Sequence, residues 1–274
     1  MDYETFYSLN EHPFGFTTDE KYYYDAPQHS KALIKLLHAV ENHAGLAILI
    51  GEVGAGKTTL SRKMLDELMT RDYEATLLVI IHSEITPDWF LRKLALMFDL
   101  EPEEKDKVAI ISGLYQRLVE LNNKAKGIAI LIDEANMLKT KEIMEEMRGL
   151  LNLEANNRKL INFILFGLPE MEENLNLDPP LAQRIAVRCF LEPLDKEATV
   201  GYIKHRLRIA GAKRELFTSD SFDKIYQFSR GIPRLINSIC DNALLEGFLR
   251  KKESIDKDII VEVARDLGLL KDAG

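Results

Sequence analysis

Residues 51–58 carry the pattern with the clearest chemical meaning in this sequence, GEVGAGKT. Its spacing, GxxxxGK[ST] with Lys57 and Thr58 at the end, is typical of loops that bind phosphate groups. Glycine is needed because the loop wraps a phosphate so closely that side chains would obstruct the inward-pointing backbone N–H groups. Lys57 should reach the β- and γ-phosphates of a nucleotide, and the Thr58 hydroxyl should ligate Mg²⁺.

The residues on either side of this loop predict the secondary structure that such a loop needs. A short apolar run at residues 46–50 indicates a buried strand before it, and a helix begins at Lys57. The N-terminus of that helix adds partial positive charge beneath the phosphates. We therefore assign nucleotide binding to the loop and the first helical residues, which are Gly51, Glu52, Val53, Gly54, Ala55, Gly56, Lys57, Thr58 and Thr59.

A second candidate site follows the apolar run at residues 128–132, which ends in Asp133 and Glu134. At the carboxyl end of a parallel strand, Asp133 lies where ligands bind in open sheets, and it can hold Mg²⁺ through water. Glu134 is placed to polarise a water molecule for in-line attack on a γ-phosphate. One carboxylate for the metal and one for the water favours hydrolysis over binding alone. The alternative is a solvated acidic loop after a core strand.

Apolar runs alternate with amphipathic helices in the first part of the chain. Because helices of ten or more residues separate several of the runs, the connections should be right-handed crossovers and the strands parallel. The pattern therefore predicts a doubly wound α/β domain with a five-stranded parallel sheet. Its strands are expected at residues 46–50, 76–81, 128–132, 160–166 and 187–191.

The strand pattern stops after Pro193, and four predicted helices follow, the first of them capped by Asp195. We place a domain boundary at this point. It divides the chain into an α/β domain over residues 1–193 and an all-α domain over residues 194–274. Within the first domain, the aromatic residues 1–30 are expected to form an arm packed across the core.

Composition limits the classes of protein to consider. The 274 residues include 36 Lys and Arg and 44 Asp and Glu, a formal charge of −8, which is not the balance of a strongly basic nucleic-acid binder. Two cysteines without CxxC spacing argue against a disulfide scaffold. The sequence shows neither a signal-peptide pattern nor an apolar run of the ~18 residues that a membrane span needs. We therefore expect a cytoplasmic protein.

Together these motifs resemble those of the AAA+ P-loop ATPases. The stretches GEVGAGKTT, DEAN, FGLPE, QRI and GIPRLIN carry the resemblance, and with the opening FYSLNEHPF they are similar to the ATPase domain of the general secretion pathway protein A type. The resemblance covers nearly the whole chain. It implies a nucleotide domain with a C-terminal helical lid, and ATP with Mg²⁺ bound between them. It also implies nucleotide-dependent homo-oligomers, a ring such as a hexamer or a filament, in which a neighbour completes each site.

The resemblance also implies roles for arginines. Arg184 precedes the fifth predicted strand, where the family places a finger that neutralises charge on the γ-phosphoryl group of a neighbouring subunit. Arg188 is the rival for that role, and a structural salt bridge is the alternative for both. Arg234 matches the lid arginine that contacts phosphates in its own subunit, with a helix-surface arginine as the alternative. The expected catalytic residues are Lys57, Glu134, Arg184 and Arg234.

One position departs from the family pattern. After the fourth predicted strand the subfamily usually has a polar residue in a GQPE-like turn, where it helps to position the water, and this chain has Leu168. A leucine cannot hydrogen-bond water or phosphate, and Asn162 lies at the other end of that strand. The pattern therefore allows slower or differently gated hydrolysis. The subfamily usually continues into a transmembrane helix and a cell-wall-binding region, so we expect either a stand-alone member or an excised domain.

The expected function is hydrolysis of ATP to ADP and phosphate, coupled to the remodelling or assembly of a partner complex. The resemblance points to secretion or export, and to a location in the cytoplasm or at the periphery of the inner membrane through partners. A DNA-binding ATPase regulator of the transposition-helper or initiator type is the alternative, which the acidic charge disfavours. A nucleotide-gated scaffold with negligible hydrolysis is a third option, raised by Leu168.

Overall fold

The computed structural model describes residues 2–15, 19–82, 84–102, 106–124, 127–155 and 158–270. The chain divides into two compact units, and each has its own hydrophobic core. The α/β unit consists of His29–Val53 and Lys57–Leu191. The helical unit consists of Met1–Gln28, Gly54–Gly56 and Glu192–Gly274.

The α/β unit is built on a parallel sheet. The described strands are β1 (Leu46–Gly51), β2 (Glu74–Val79), β3 (Ile128–Asp133), β4 (Glu154–Ala155), β5 (Arg158–Lys159), β6 (Asn162–Gly167) and β7 (Ile185–Leu191). Five of them form one sheet in the order β2-β3-β6-β1-β7 with every pair parallel, while β4 and β5 make a separate antiparallel pair. The predicted doubly wound five-stranded sheet is therefore confirmed.

Side-chain caps account for several helix starts. Asp106 accepts from the N–H of Ala109 at 2.8 Å, and Asp195 accepts from the N–H of Ala198 at 2.7 Å. Within the described ranges no helix combines the length and the apolarity needed to cross a bilayer. The described helices are α1 (Tyr3–Tyr7), α2 (Pro27–Glu41), α3 (Lys57–Thr70), α4 (Pro87–Met97), α5 (Lys107–Asn122), α6 (Lys141–Leu150), α7 (Met171–Leu175), α8 (Pro179–Ala182), α9 (Lys196–Ile209), α10 (Ser219–Ser229), α11 (Pro233–Leu249) and α12 (Lys257–Asp266), with short 3₁₀ turns at Glu20–Tyr22 and Ala135–Met137.

The position of each strand in the sheet decides its exposure. Strands β1, β3 and β6 are central, and every residue in them is buried. Strands β2 and β7 lie at the edges. The apolar run at residues 76–81 gives the strand but not its end, because β2 ends at Val79, which is exposed, and Ile81 beyond it is 85% exposed. An apolar run alone does not distinguish an edge strand from a central one.

The N-terminal arm groups with the helical unit. The sequence-based division placed it with residues 1–193, whereas residues 1–28 form one compact unit with the helices that follow Leu191. Phe14 accounts for part of this grouping, since it is fully buried and packs edge-on against Phe217 with ring centroids 6.3 Å apart. Aromatic side chains bury large apolar areas, so such a contact holds the arm firmly.

Arg206 of α9 fixes the arm from inside the helical core. Its buried guanidinium donates from Nε to the carbonyl oxygen of Pro13 at 2.5 Å and from Nη1 to the Tyr202 hydroxyl at 2.8 Å. It also lies 4.5 Å from the centre of the Tyr22 ring, a cation–π contact. The buried charge is tolerated because oxygen acceptors and a ring face surround it.

Candidate nucleotide-binding site

The loop between β1 and α3 depends on glycine at two positions. Gly54 and Gly56 have φ angles of 80° and 101°, in the left-handed range that residues with a Cβ rarely adopt. Gly54 also has a close neighbour within the helical unit, since a Cβ at this position would lie 2.6 Å from the Cβ of Arg234. The backbone path of the predicted phosphate loop therefore requires these glycines, as the motif indicates.

Lys57, the first residue of α3, is the cation of this loop. Only 7% of its surface is exposed, and its ammonium donates to the carbonyl oxygens of Gly51 at 2.9 Å and Glu52 at 3.0 Å. Burial lowers the pKa of Lys57 from its ordinary value, while the charges of Glu134 and Asp133 oppose this shift. The ammonium of Lys57 therefore interacts electrostatically with the carboxylates of Asp133 and Glu134, at the end of the sheet where β1 and β3 finish.

Asp133, the last residue of β3, is 1% exposed. Its Oδ1 accepts from the N–H of Glu134 at 3.0 Å, but its Oδ2 has no hydrogen-bond partner within the described part of the chain. A buried carboxylate oxygen is costly unless a hydrogen-bond donor or a cation satisfies it. Because Mg²⁺ prefers oxygen ligands, Asp133 and the hydroxyl of Thr58 in the first turn of α3 form a donor set that fits this ion.

Glu134 has an unusual backbone conformation. Its φ of 55° and ψ of 36° lie in the left-handed region, which costs a residue with a Cβ roughly 1–2 kcal/mol. The residue begins the 3₁₀ turn Ala135–Met137, and its side chain is half-buried. Strain of this kind is typical of positions where function requires a side chain in a fixed place.

Asn136 connects the ends of β3 and β6, which the sequence analysis missed. The residue is buried, its Oδ1 accepts from the N–H of Leu168 at 3.0 Å, and its carbonyl oxygen accepts from Nδ2 of Asn174 at 2.9 Å. Gly167 permits this approach, because a Cβ there would lie 3.2 Å from the backbone nitrogen of Asn136. The DEAN stretch contains this asparagine, but its partner Leu168 is 32 residues away, so only the fold brings the two together.

The departure from the family pattern is visible at the end of β6. Leu168 is half-buried and contributes backbone groups to the hydrogen bonding here: its N–H donates to Oδ1 of Asn136, and its carbonyl oxygen accepts from the N–H of Met171 at 2.9 Å. Asn162 lies at the opposite end of β6, where its Oδ1 accepts from the N–H of Gly45 at 3.1 Å and its Nδ2 donates to the carbonyl of Ile128 at 3.1 Å. Asn162 is therefore a structural link between neighbouring segments and not part of the site.

The two candidate arginine fingers have different partners. Arg188 pairs with Glu172 at 2.9 Å, so its charge is already neutralised. Arg184 is exposed and donates to the neutral Oδ1 of Asn152 at 2.6 Å, and no carboxylate of the described residues lies within ion-pairing distance of it. Arg184 precedes the amino end of β7, whereas the phosphate loop follows the carboxyl end of β1, which is parallel to β7. Arg184 and the phosphate loop therefore lie at opposite ends of these two neighbouring strands.

Arg234 is the second residue of α11, after Pro233. Its side chain is exposed, and its backbone N–H donates to the carbonyl oxygen of Gly54 at 3.3 Å within the helical unit. The structure thus brings the backbone of Arg234 to a glycine of the phosphate loop. The contact of its guanidinium with phosphates stays a prediction.

Comparison with known proteins shows which family the chain resembles. Residues 40–175 match the model of a family described as AAA domain. Over 99% of its length the chain is 34% identical to general secretion pathway protein A of Aeromonas hydrophila. The match covers 50% of that protein, so the chain spans about half the length of the curated relative it matches.

Solved structures share the fold. The ORC1 protein of Aeropyrum pernix, solved in complex with DNA, superposes with a TM-score of 0.64 at 18% identity, over 89% of this chain and 66% of that one. The RuvB Holliday junction branch migration motor of Thermotoga maritima has a TM-score of 0.58 at 19% identity, over 87% of this chain and 68% of the other. At these identities the likeness shows the fold alone.

Proposed function

Because the chain belongs to the AAA+ P-loop proteins, we propose that it binds ATP with Mg²⁺, hydrolyses ATP to ADP and phosphate, and thereby remodels or assembles a partner complex. The main support for this proposal is the buried Oδ2 of Asp133, which has no hydrogen-bond partner among the described residues. This oxygen lies at the carboxyl end of β3, close enough to Lys57 for the charges of Asp133 and Glu134 to act on the Lys57 ammonium. A nucleotide with its magnesium ion supplies the cation for this oxygen and the phosphate charge for Lys57.

Each residue of the site has one task in the proposed reaction. Backbone N–H groups of residues 51–58 bind the phosphates, and the ammonium of Lys57 binds the β- and γ-phosphates. Mg²⁺, held by Thr58 and Asp133, supplies charge neutralisation when bound. Glu134 orients a water molecule and accepts its proton as the water oxygen bonds to the γ-phosphorus. The bond between the γ-phosphorus and the oxygen that bridges it to the β-phosphorus breaks, which releases ADP and phosphate.

We propose that an oligomer completes the site. Arg184 is exposed and has no carboxylate partner among the described residues. It also lies at the end of the parallel strands opposite to its own phosphate loop, which supports a role in a neighbouring subunit. Arg188 is the weaker candidate because Glu172 neutralises it. Arg234 is proposed to contact the phosphates of its own subunit, and its backbone contact with Gly54 supports this.

The proposed partner is a secretion or export complex, since the Aeromonas hydrophila relative is named for the general secretion pathway. We place the protein in the cytoplasm or at the inner membrane through such partners. The partner's identity is tested by co-purification with components of secretion complexes in the presence of ATP and of ADP.

A DNA-binding ATPase regulator is the alternative, because the Aeropyrum pernix ORC1 protein was solved in complex with DNA. Charge disfavours it: the net charge is −8, and the basic stretch 250–252 is largely neutralised, since Arg250 pairs with Glu246 and Glu262 and Lys252 pairs with Asp256. Duplex binding at two salt concentrations distinguishes the two functions. A DNA regulator should bind with ATP and lose affinity steeply with salt.

Steady-state phosphate release from the purified chain tests hydrolysis directly. We expect release that requires Mg²⁺, stops when excess EDTA is added and returns when Mg²⁺ is restored. Release no faster than that of a Lys57→Ala variant would contradict hydrolysis and leave the nucleotide-gated scaffold as the better account.

A further inference from the structure

A cavity of about 280 Å³ lies in the helical unit, far along the sequence from the nucleotide loop. Its walls come from α9, from the loop at residues 212–217 and from α10. The volume is just below the ~300–1,000 Å³ that is typical of small-molecule sites, so the cavity suits one large side chain better than a whole cofactor.

The floor of the cavity is apolar and tightly packed. Its lining includes the buried side chains of Leu207, Leu216, Phe217 and Phe222. The rings of Phe217 and Phe222 lie 6.1 Å apart and are 2% and 7% exposed, so they present too little face for a nucleic-acid base to stack on. An apolar lining around a volume of this size is suited to one apolar side chain.

The mouth of the cavity is positively charged. Its charged lining residues are four cations and one anion, Lys204, Arg208, Lys213, Arg214 and Glu215. Lys204 pairs with Glu215 at 2.5 Å, and Arg214 pairs with Glu253 at 2.7 Å. Arg208 and Lys213 have no carboxylate partner among the described residues, and Arg208 Nη2 lies 3.3 Å from Nδ1 of His205. Two positive charges thus remain for a ligand.

The walls are held in place before any ligand arrives. At one end of the loop, the N–H of Asn10 donates to the carbonyl of Ala210 at 2.8 Å. At the other end, Ile255 donates to the carbonyl of Leu216 at 2.7 Å and accepts from the N–H of Thr218 at 3.0 Å. A site anchored at both ends loses little conformational entropy on binding.

We propose that this cavity binds a short acidic segment of a partner protein. One large apolar side chain of the segment enters the cavity, and neighbouring carboxylates bind Arg208 and Lys213. Charge complementarity selects this occupant, because an apolar pocket beneath two cations without carboxylate partners matches an apolar side chain flanked by Asp or Glu. The site is separate from ATP hydrolysis and gives the helical unit a means of holding a partner.

Fluorescence polarisation with the full chain tests this site. The probes are fluorescein-labelled hexapeptides, each with one leucine, phenylalanine or tryptophan among aspartates and glutamates. We expect saturable binding of at least one probe, weakened at least about tenfold when alanine replaces its apolar residue. The double variant Arg208→Glu/Lys213→Glu should weaken binding by at least about tenfold as well.

The matched control is Lys224→Glu/Lys257→Glu, which changes the net charge equally outside the cavity, at the partly exposed Lys224 and the exposed Lys257. It should alter probe affinity less than about twofold. Equal weakening by both double variants, or no saturable binding below millimolar probe, would overturn the proposal. So would displacement of the probe by a DNA duplex more efficiently than by unlabelled peptide, which would identify a nucleic-acid site.

Discussion

Glu134 holds a left-handed backbone conformation at the end of a fully buried strand, which fixes where its carboxylate lies. If this carboxylate accepts the proton of the attacking water, an amide of the same shape cannot replace it. We expect Glu134→Gln to bind ATP with unchanged affinity and to release phosphate roughly 100-fold more slowly or worse. Calorimetry measures the binding, and steady-state phosphate release measures the turnover.

Glu173→Gln is the matched control for this substitution, because Glu173 is an exposed acid on α7. It should leave both measurements at the wild-type values. If Glu134→Gln also kept wild-type turnover, Glu134 would have no part in the reaction.

Asn136 is proposed as a positioning residue that holds the turn after β6 against the end of β3. Asn136→Leu leaves the partly buried N–H of Leu168 without its acceptor, at a cost of about 1–3 kcal/mol. We expect a lower kcat with an unchanged KM for ATP, because the water and Glu134 are displaced while the phosphate loop is intact. Asn136→Asp keeps an oxygen acceptor and should recover most of the kcat. Lower stability of Asn136→Leu with a wild-type kcat would show a purely structural role.

At the scale of elements, short polar side chains fix where helices begin. Asp256 accepts from the N–H of Ile259 at 3.1 Å at the start of α12 and also pairs with Lys252. We expect Asp256→Ala to lower the free energy of unfolding by about 1 kcal/mol, measured by urea denaturation. Asp256→Asn keeps the capping oxygen and should stay close to wild type. Equal losses in both variants would assign the effect to the ion pair with Lys252 instead.

Elements set by local sequence could be predicted, and contacts between distant residues could not. The phosphate loop and the pair Asp133-Glu134 follow from motif spacing together with the adjacent apolar strands. The link from Asn136 to Leu168 spans 32 residues and depends on β3 lying beside β6 in the sheet. An apolar run likewise does not say that β2 is an edge strand.

The grouping of the arm was unpredictable for the same reason. Phe14 reads in the sequence as one more aromatic residue of an irregular segment, and its partner Phe217 is some two hundred positions later. The arginine roles differ again, because the proposed role of Arg184 is in a neighbouring subunit, and a single chain does not display such a contact. Arg234 and Arg184 therefore stay predictions that need functional tests.

For the whole molecule, the proposed oligomer makes a prediction that no single site makes. In the proposed oligomer, Arg184→Ala should damage the site of a neighbour, and Glu134→Gln should damage the site of its own subunit. Two inactive variants mixed together should therefore recover part of the phosphate release, because some interfaces then combine an intact Glu134 with an intact Arg184. The mixture is compared with each variant alone at the same total concentration. A mixture as inactive as its components would argue against an arginine supplied by a neighbour.

Equilibrium titration with a fluorescent ATP analogue tests most directly whether residues 51–58 and Asp133 bind magnesium-ATP. The titration is run with Mg²⁺ and with EDTA, for the wild type and for Lys57→Ala. We predict saturable binding that is strengthened by Mg²⁺ and weakened at least about tenfold in Lys57→Ala. Equal affinity of the wild type and Lys57→Ala for the analogue, or no saturation of the wild type at millimolar nucleotide, would contradict nucleotide binding by this loop.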